Sequence, residues 1–163
     1  MNQLNLALLG SPEVRQHGKL LSFATRKALA LLLYLVAEGG QHRREKITAL
    51  FWPDSDSERG RAALRRTLVL LRQALPHAAD YLLVERDRLG FNPESDFDLD
   101  LHLLDTAVRA GPSREALAQL QAAVEAYRGD LLEGFSLDDA PDFDDWASLQ
   151  REYWHRQMES IFD

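Results

Sequence analysis

Arg59-Gly60-Arg61-Ala62-Ala63-Leu64-Arg65-Arg66-Thr67-Leu68-Val69-Leu70-Leu71-Arg72 carries five arginines and no acidic residue, in a chain of 163 residues whose formal net charge is -7. Within and just beyond it, Leu64, Leu68, Leu71 and Leu75 recur at steps of four, three and four. That is the spacing of a helix with one apolar side. Arg61, Arg65 and Arg72 flank this stripe, and Arg66 points away from it. A helix that buries leucine and offers guanidinium groups on its other faces suits the major groove of DNA, because arginine pairs bidentately with phosphate oxygens and with guanine edges.

The flanking sequence gives that helix a setting. Upstream, Thr25 is a helix cap, and Arg26 to Glu38 reads as a helix apolar almost all round, closed by Gly39-Gly40. A second helix runs from Arg43 to Trp52 with Ile47, Leu50 and Phe51 on its inner face, and Pro53 stops it. The polar connection Asp54-Ser55-Asp56-Ser57-Glu58 supplies the cap of the arginine helix, which ends near Leu75-Pro76. Next come Tyr81 to Glu85 and Leu89 to Asn92, separated by Arg86-Asp87-Arg88, a β-hairpin with a charged tip. Leu4 to Leu9, Val14 to Gln16 and Lys19 to Phe23 read as short strands ahead of the first helix. Strands, three helices and a terminal hairpin predict a winged helix-turn-helix over residues 1–93, with the hairpin as wing. The connection of residues 53–58 has the length found in the response-regulator type of winged helix.

After Pro93 the character changes. Leu99 to Ala110 reads as a helix. Gly111-Pro112-Ser113 breaks the chain, and Ser113 caps a second helix from Arg114 to Arg128. Leu117, Leu120, Ala123, Val124 and Tyr127 fall on one face of it. Residues 129–145 read as an acidic loop, and a third helix runs from Trp146 to about Phe162. Helical pairs of this kind bury their faces by stacking on further pairs. With Trp154, Met158, Ile161 and Phe162 so near the end, the chain reads as the front of a longer protein.

Charge divides the chain the same way. Residues 1–92 hold 14 Lys and Arg against 9 Asp and Glu; residues 93–163 hold 5 against 17. A basic module for a polyanion followed by an acidic one is the expectation. The acidic total does not argue against nucleic-acid binding, since screening confines charge effects to roughly 8–10 Å at ordinary salt.

Other chemistries find little support. Cysteine is absent, so disulfide frameworks and thiolate sites are excluded. The longest apolar run, Ala28 to Ala37, is too short to cross a bilayer, and no basic stretch with a signal core opens the chain; a cytoplasmic location is expected. Asp96, Asp98 and Asp100 alternate, but Leu101 stands where a calcium loop needs glycine, and an extended segment fits better. The histidines at 17, 42, 77, 102 and 155 have no ligand spacing. Gly18-Lys19 lacks the surroundings of a phosphate loop. Trp52 and Trp146 read as core anchors, and Asp138, Asp139, Asp142, Asp144 and Asp145 as a solvated loop with favourable charge at a helix start. No cofactor, metal or catalytic residue is expected, and the protein is read as a non-enzyme.

Two blocks resemble a known family. Trp52-Pro53-Asp54, followed by Arg61-Ala62-Ala63-Leu64-Arg65 and Leu71-Arg72-Gln73-Ala74-Leu75, resembles the DNA-binding domain of SARP-type bacterial transcriptional activators. Tyr127-Arg128-Gly129-Asp130-Leu131-Leu132-Glu133-Gly134-Phe135, with Trp146 and Arg151-Glu152, is similar to the opening of the bacterial transcriptional activator domain that follows it. The resemblance implies a mainly α fold with small β elements: a winged helix-turn-helix (1–93) followed by an α-helical, tetratricopeptide-like activator segment (97–163). It implies DNA as partner, binding to tandem promoter repeats as a homodimer, and recruitment of RNA polymerase. In some relatives such domains head a longer chain with an ATPase. Two departures stand out: Leu70 replaces a second basic residue near the end of the recognition helix, and His42-Arg43-Arg44 replaces a small hydroxyl cap on the second helix.

On this reading Arg61, Arg65, Arg66 and Thr67 face the major groove and Arg72 meets backbone phosphate. Arg43 and Arg44 lie at a helix start, where the dipole and free amides favour phosphate, and Arg86 and Arg88 at the wing tip enter the minor groove. Most such contacts position the protein and few specify sequence. The competing reading is a protein-interaction scaffold, or the regulatory front of a larger signalling ATPase, with the basic run no more than a solvated face.

Overall fold

A computed structural model describes residues 3–111 and 116–162. The elements in chain order are β1 (Leu4–Ala7), β2 (Glu13–Gln16), β3 (Lys19–Leu20), α1 (Arg26–Glu38), β4 (Gln41–Arg43), α2 (Arg44–Phe51), α3 (Ser57–Ala74), α4 (Ala78–Tyr81), β5 (Leu82–Val84), β6 (Arg88–Phe91), β7 (Phe97–Leu99), α5 (Asp100–Ala110), α6 (Leu117–Ala126) and α7 (Pro141–Ser160). They form two compact units that interleave in sequence: residues 21–96 with 137–144, and residues 3–20 with 97–136 and 145 onward. The division drawn from charge at residues 93–97 therefore separates the chain differently from its packing.

The topology accounts for the interleaving. In the second unit the sheet order is β3-β2-β1-β7, with β1 antiparallel to β2 and parallel to β7. A parallel pair cannot be closed by a hairpin and needs a long crossover; here the connection is residues 8–96, which include β2, β3 and residues 21–96 of the first unit. Of the alternating aspartates of 96–100, only Asp98 lies within the extended β7, while Asp96 precedes it and Asp100 opens α5. Asp98 hydrogen-bonds with the Gln3 amide, and Asp100, at the start of α5, is buried and accepts from the Leu8 and Leu9 amides at 2.8 and 2.7 Å. Burial pushes the Asp100 carboxyl above the usual aspartate range, against the pull of those amides and of the Arg128 charge. Helices α5 and α6 pack as a pair, and Leu101, Leu104 and Ala107 of α5 and Ala123 of α6 are buried. The apolar face expected of the second helix is only partly covered: Ala123 is buried, while Leu117 is 61% exposed and Val124 is also exposed. The proposed Ser113 cap and Arg114 start lie outside the described residues.

In the first unit α1 is central. Thr25 Oγ1 accepts from the Ala28 amide at 3.1 Å, and the helix ends where Gly39 takes φ 68°, a left-handed conformation glycine adopts without strain. Ala28 and Ala30 through Val36 are all buried, packing on α3 and β6. Phe51 of α2 meets Tyr34 edge-on at 6.0 Å and Phe143 at 5.3 Å. Such ring pairs add about 0.5–1.5 kcal/mol each beyond their area.

Three assignments change. Tyr81 ends a short helix, α4, instead of opening a strand. The last helix begins at Pro141, five residues before Trp146, with Asp142 and Asp144 in its first turn, and Asp144 accepts from the Leu137 amide at 2.9 Å. Residues 41–43 form strand β4, so that Arg43, expected to open the second helix, ends a strand instead.

Candidate nucleic-acid interface

Helix α3 is set by its own sequence. Asp56 caps it, accepting from the Arg59 amide at 2.8 Å, and Glu58 lies in its first turn where negative charge complements the dipole. Gly60, Leu64, Leu68 and Leu71 are buried, as is Leu75 just past its end, so the leucine stripe faces the core as its spacing required. Gly60 lies against the Thr48 side chain of α2, which lets the two helices meet closely.

Arg61, Arg65 and Arg72 are spaced by four and seven and share one exposed flank of α3. That flank lies toward α2, because the charges of Arg72 and Arg65 both act on Arg44. Burial first, then those two charges, lower the Arg44 guanidinium below its ordinary value, with Asp87 acting in the opposite direction. Arg44 itself is held in place. Its guanidinium donates twice to the Glu85 carbonyl, at 3.1 and 2.6 Å, and its amide donates to the Asp87 carbonyl at 2.9 Å. It ties the start of α2 to the hairpin turn, and its donors are committed to that tie more than to a phosphate.

The wing is a three-stranded sheet of order β4-β6-β5. Its turn is Arg86-Asp87, closed by the Glu85 amide on the Arg88 carbonyl at 2.9 Å. Across β4 and β6 the register sets Arg43 directly opposite Arg88, and both are exposed. Like charges in facing positions of an antiparallel pair repel. Gly90 permits this close pairing, since a Cβ there would come within 2.6 Å of the Gly40 carbonyl oxygen.

The arrangement brings together most of the residues singled out from sequence and parts two from the rest. Arg43, Arg61, Arg65, Arg72, Arg86 and Arg88 are exposed on α3 and the wing sheet, with Arg44 between them. Thr67 is a correction: it is 7% exposed and its hydroxyl donates to the Ala63 carbonyl at 2.9 Å, so it faces the core side. Arg66 lies on a different line of α3 and, with Val69 and Leu70, helps line a cavity of about 740 Å³ closed by Lys27, Trp52 and Asp139. There Lys27 pairs with Asp139 at 2.9 Å and lies 5.0 Å from the Trp52 ring centre. Strand β4 was missed because Gln41-His42-Arg43 has no apolar alternation; only its partner β6 makes it a strand.

Among the described residues, no carboxylate lies within ion-pair distance of Arg43, Arg61, Arg65, Arg66, Arg72, Arg86 or Arg88. In the second unit, by contrast, Arg15 and Arg128 pair with Glu13, Arg109 with Asp105 and Arg156 with Glu152. Two histidines have local partners: His42 the Gly39 carbonyl at 2.8 Å, and His155 the Glu159 carboxylate at 2.8 Å. No group of three metal-ligating side chains occurs among the described residues, and no helix of the described residues is long and apolar enough to cross a membrane.

No family model matches the chain, and no curated protein matches it. Among solved structures the chain is similar to Mycobacterium tuberculosis EmbR, determined in complex with a low affinity phosphopeptide, with a TM-score of 0.73 over 96% of this chain at 20% identity. The chain spans 44% of that protein's chain. At this identity the likeness speaks to fold: a mainly helical chain with small sheets, in which a winged helix-turn-helix is joined to a helical segment.

Proposed function

We propose that this chain is a sequence-specific, DNA-binding transcriptional regulator of the SARP type. The observation that carries the reading is the set of exposed arginines on α3 and on β4 and β6, without carboxylate partners, in which Arg43 faces Arg88 and Arg65 and Arg72 both act on Arg44. Such a cluster repels itself in the folded protein; a row of phosphates relieves it. In the proposed complex α3 occupies the major groove, with Arg61 and Arg65 over base edges or phosphates and Arg72 on backbone phosphate. Arg43 and Arg88 form a second phosphate clamp, and Arg86 at the turn reaches the adjacent minor groove. Arg44 acts chiefly as a positioning residue for the wing, and Arg66 as a secondary contact.

The winged helix of residues 1–93 and the helical segment of residues 97–163 are the functional modules of this proposal. The regulator acts as an activator on tandem promoter repeats, as a homodimer on DNA, in the cytoplasm. RNA polymerase is the expected partner of the helical segment, a reading supported by the exposed apolar side chains Leu117, Leu149 and Phe162 on α6, α7 and the residues after it. No catalytic step is assigned to any residue.

The test is selection from a pool of random duplex DNA at physiological salt. Enrichment of direct repeats spaced by about one helical turn, 10–10.5 bp, is the expected result. A folded protein that retains no duplex at low salt overturns the proposal.

A further inference from the structure

The arginine flank is not the part of α3 that stands furthest from the core. The buried residues Gly60, Leu64, Thr67, Leu68, Leu71 and Leu75 define the inner side. At about 100° per residue, the line roughly opposite them is Ala62, Arg66, Val69 and Gln73, at steps of four, three and four. Arg61, Arg65 and Arg72 lie roughly a quarter-turn away, on the α2 and wing side. The outermost ridge of the basic helix is therefore uncharged at three of its four positions. Its most conspicuous member is Val69, an apolar β-branched side chain left 49% exposed on a helix that had leucine positions inside to spare.

Resting on the DNA-binding reading, we propose that this ridge reads A·T pairs: Val69 packs against a thymine 5-methyl group, and Gln73, one turn further on, pairs with an adenine edge. The chemistry follows from what each groove edge displays. In the major groove thymine alone presents a methyl group, and an apolar side chain is the matching surface. Adenine presents an acceptor and a donor side by side, which a glutamine amide answers with its own donor and acceptor. Ala62, the smallest side chain of the ridge, leaves room for the helix to approach the bases. The arginines of the single flank beside the ridge then hold the phosphate backbone on the α2 and wing side, and the base-reading line lies next to them. Val69 and Arg66 also form part of the wall of the cavity that holds Lys27, Asp138 and Asp139; Val69 nevertheless stays 49% exposed, and Lys27 there is matched by Asp139 and Trp52. Thr67, by contrast, is removed from base reading by its bond to Ala63.

The test uses a duplex retained from the random pool, with each thymine of one half-site replaced in turn by deoxyuridine, which deletes only the methyl group. The wild-type protein should bind about fourfold more weakly at one thymine, the equivalent of about 0.8 kcal/mol for one buried methyl-sized group. Val69→Ala should bind the thymine and deoxyuridine duplexes within about twofold of each other. Gln73→Ala should relax discrimination at one A·T pair by about fivefold or more, with an unchanged salt slope. Both positions are exposed and tolerate alanine in a helix, and a circular dichroism spectrum like the wild type's establishes that the variants fold. Tight, salt-dependent binding that is indifferent to every deoxyuridine, or retention of duplexes without sequence preference, overturns this inference and leaves the DNA-binding reading intact. Absence of any binding overturns both.

Discussion

Replacing Arg88 with glutamine should make the folded protein more stable and its DNA complex weaker. Arg43 and Arg88 are paired in register across β4 and β6, and both are exposed. Facing positions in an antiparallel pair place their Cβ atoms about 4.5–5.5 Å apart, and such side-chain pairs are worth about 0.2–1 kcal/mol, here with repulsive sign. Exposure and salt keep the value toward the lower end. Arg88→Gln retains a long side chain with a donor but removes the repulsion, so the urea midpoint should rise by the equivalent of a few tenths of a kcal/mol with the slope unchanged. The gain should shrink in high salt, and it should vanish in an Arg43→Gln background, where there is no opposing charge to relieve. The same substitution removes one cation from the proposed DNA face. Affinity should fall, and the slope of log K against log salt should flatten by about 0.9, the value for one phosphate left unneutralised. The assays are urea unfolding at low and high salt, and a fluorescence-anisotropy salt titration on one duplex. A variant that is destabilised in both backgrounds, or keeps the wild-type salt slope, refutes the reasoning: Arg88 would then be a structural residue of the wing.

Other substitutions test the neighbouring parts of the account. Gly90→Ala sets a Cβ within 2.6 Å of the Gly40 carbonyl, so β4 must shift; a destabilisation of about 1–3 kcal/mol in urea unfolding is expected, and full stability would mean the strand pair is looser than described. Asp56→Ala deletes the α3 cap and should cost about 1 kcal/mol by thermal unfolding, with Asp56→Asn close to wild type. Asp100 is raised by burial, so the native state holds its proton more tightly than the unfolded chain, and the carboxyl's contribution to stability is lost as pH rises through its folded-state value. The stability of Asp100→Asn relative to wild type should accordingly increase as pH is raised from below the usual aspartate range; a difference flat with pH would contradict the shift.

Much of this fold was legible because its strongest signals are local. The leucine spacing of α3, the Thr25 cap, the glycine stop at Gly39 and the proline after Trp52 each act within a few residues, and each is found where it was expected. Features that depend on distant partners were not legible. Strand β4 exists only through β6, and the parallel pairing of β1 with β7 requires residues more than ninety positions apart to meet. The interleaving of the two units follows from that pairing and leaves no trace in composition. At the candidate site the arginines were visible as a run. The commitment of Arg44 to the Glu85 carbonyl and the inward turn of Thr67 depend on what packs beside them. A threonine at a helical position has no signal in sequence that separates a base-reading hydroxyl from one bonded to its own helix.

The most direct test of the account is the salt dependence of DNA affinity for the wild type and for the triple variant Arg61→Ala, Arg65→Ala, Arg72→Ala, with folding verified by unchanged circular dichroism. The account predicts a wild-type affinity that falls steeply with salt, and a variant whose slope is reduced by about 0.9 for each phosphate left unneutralised, up to about three phosphates. A folded triple variant with the wild-type affinity and slope would contradict it and remove α3 from the DNA interface.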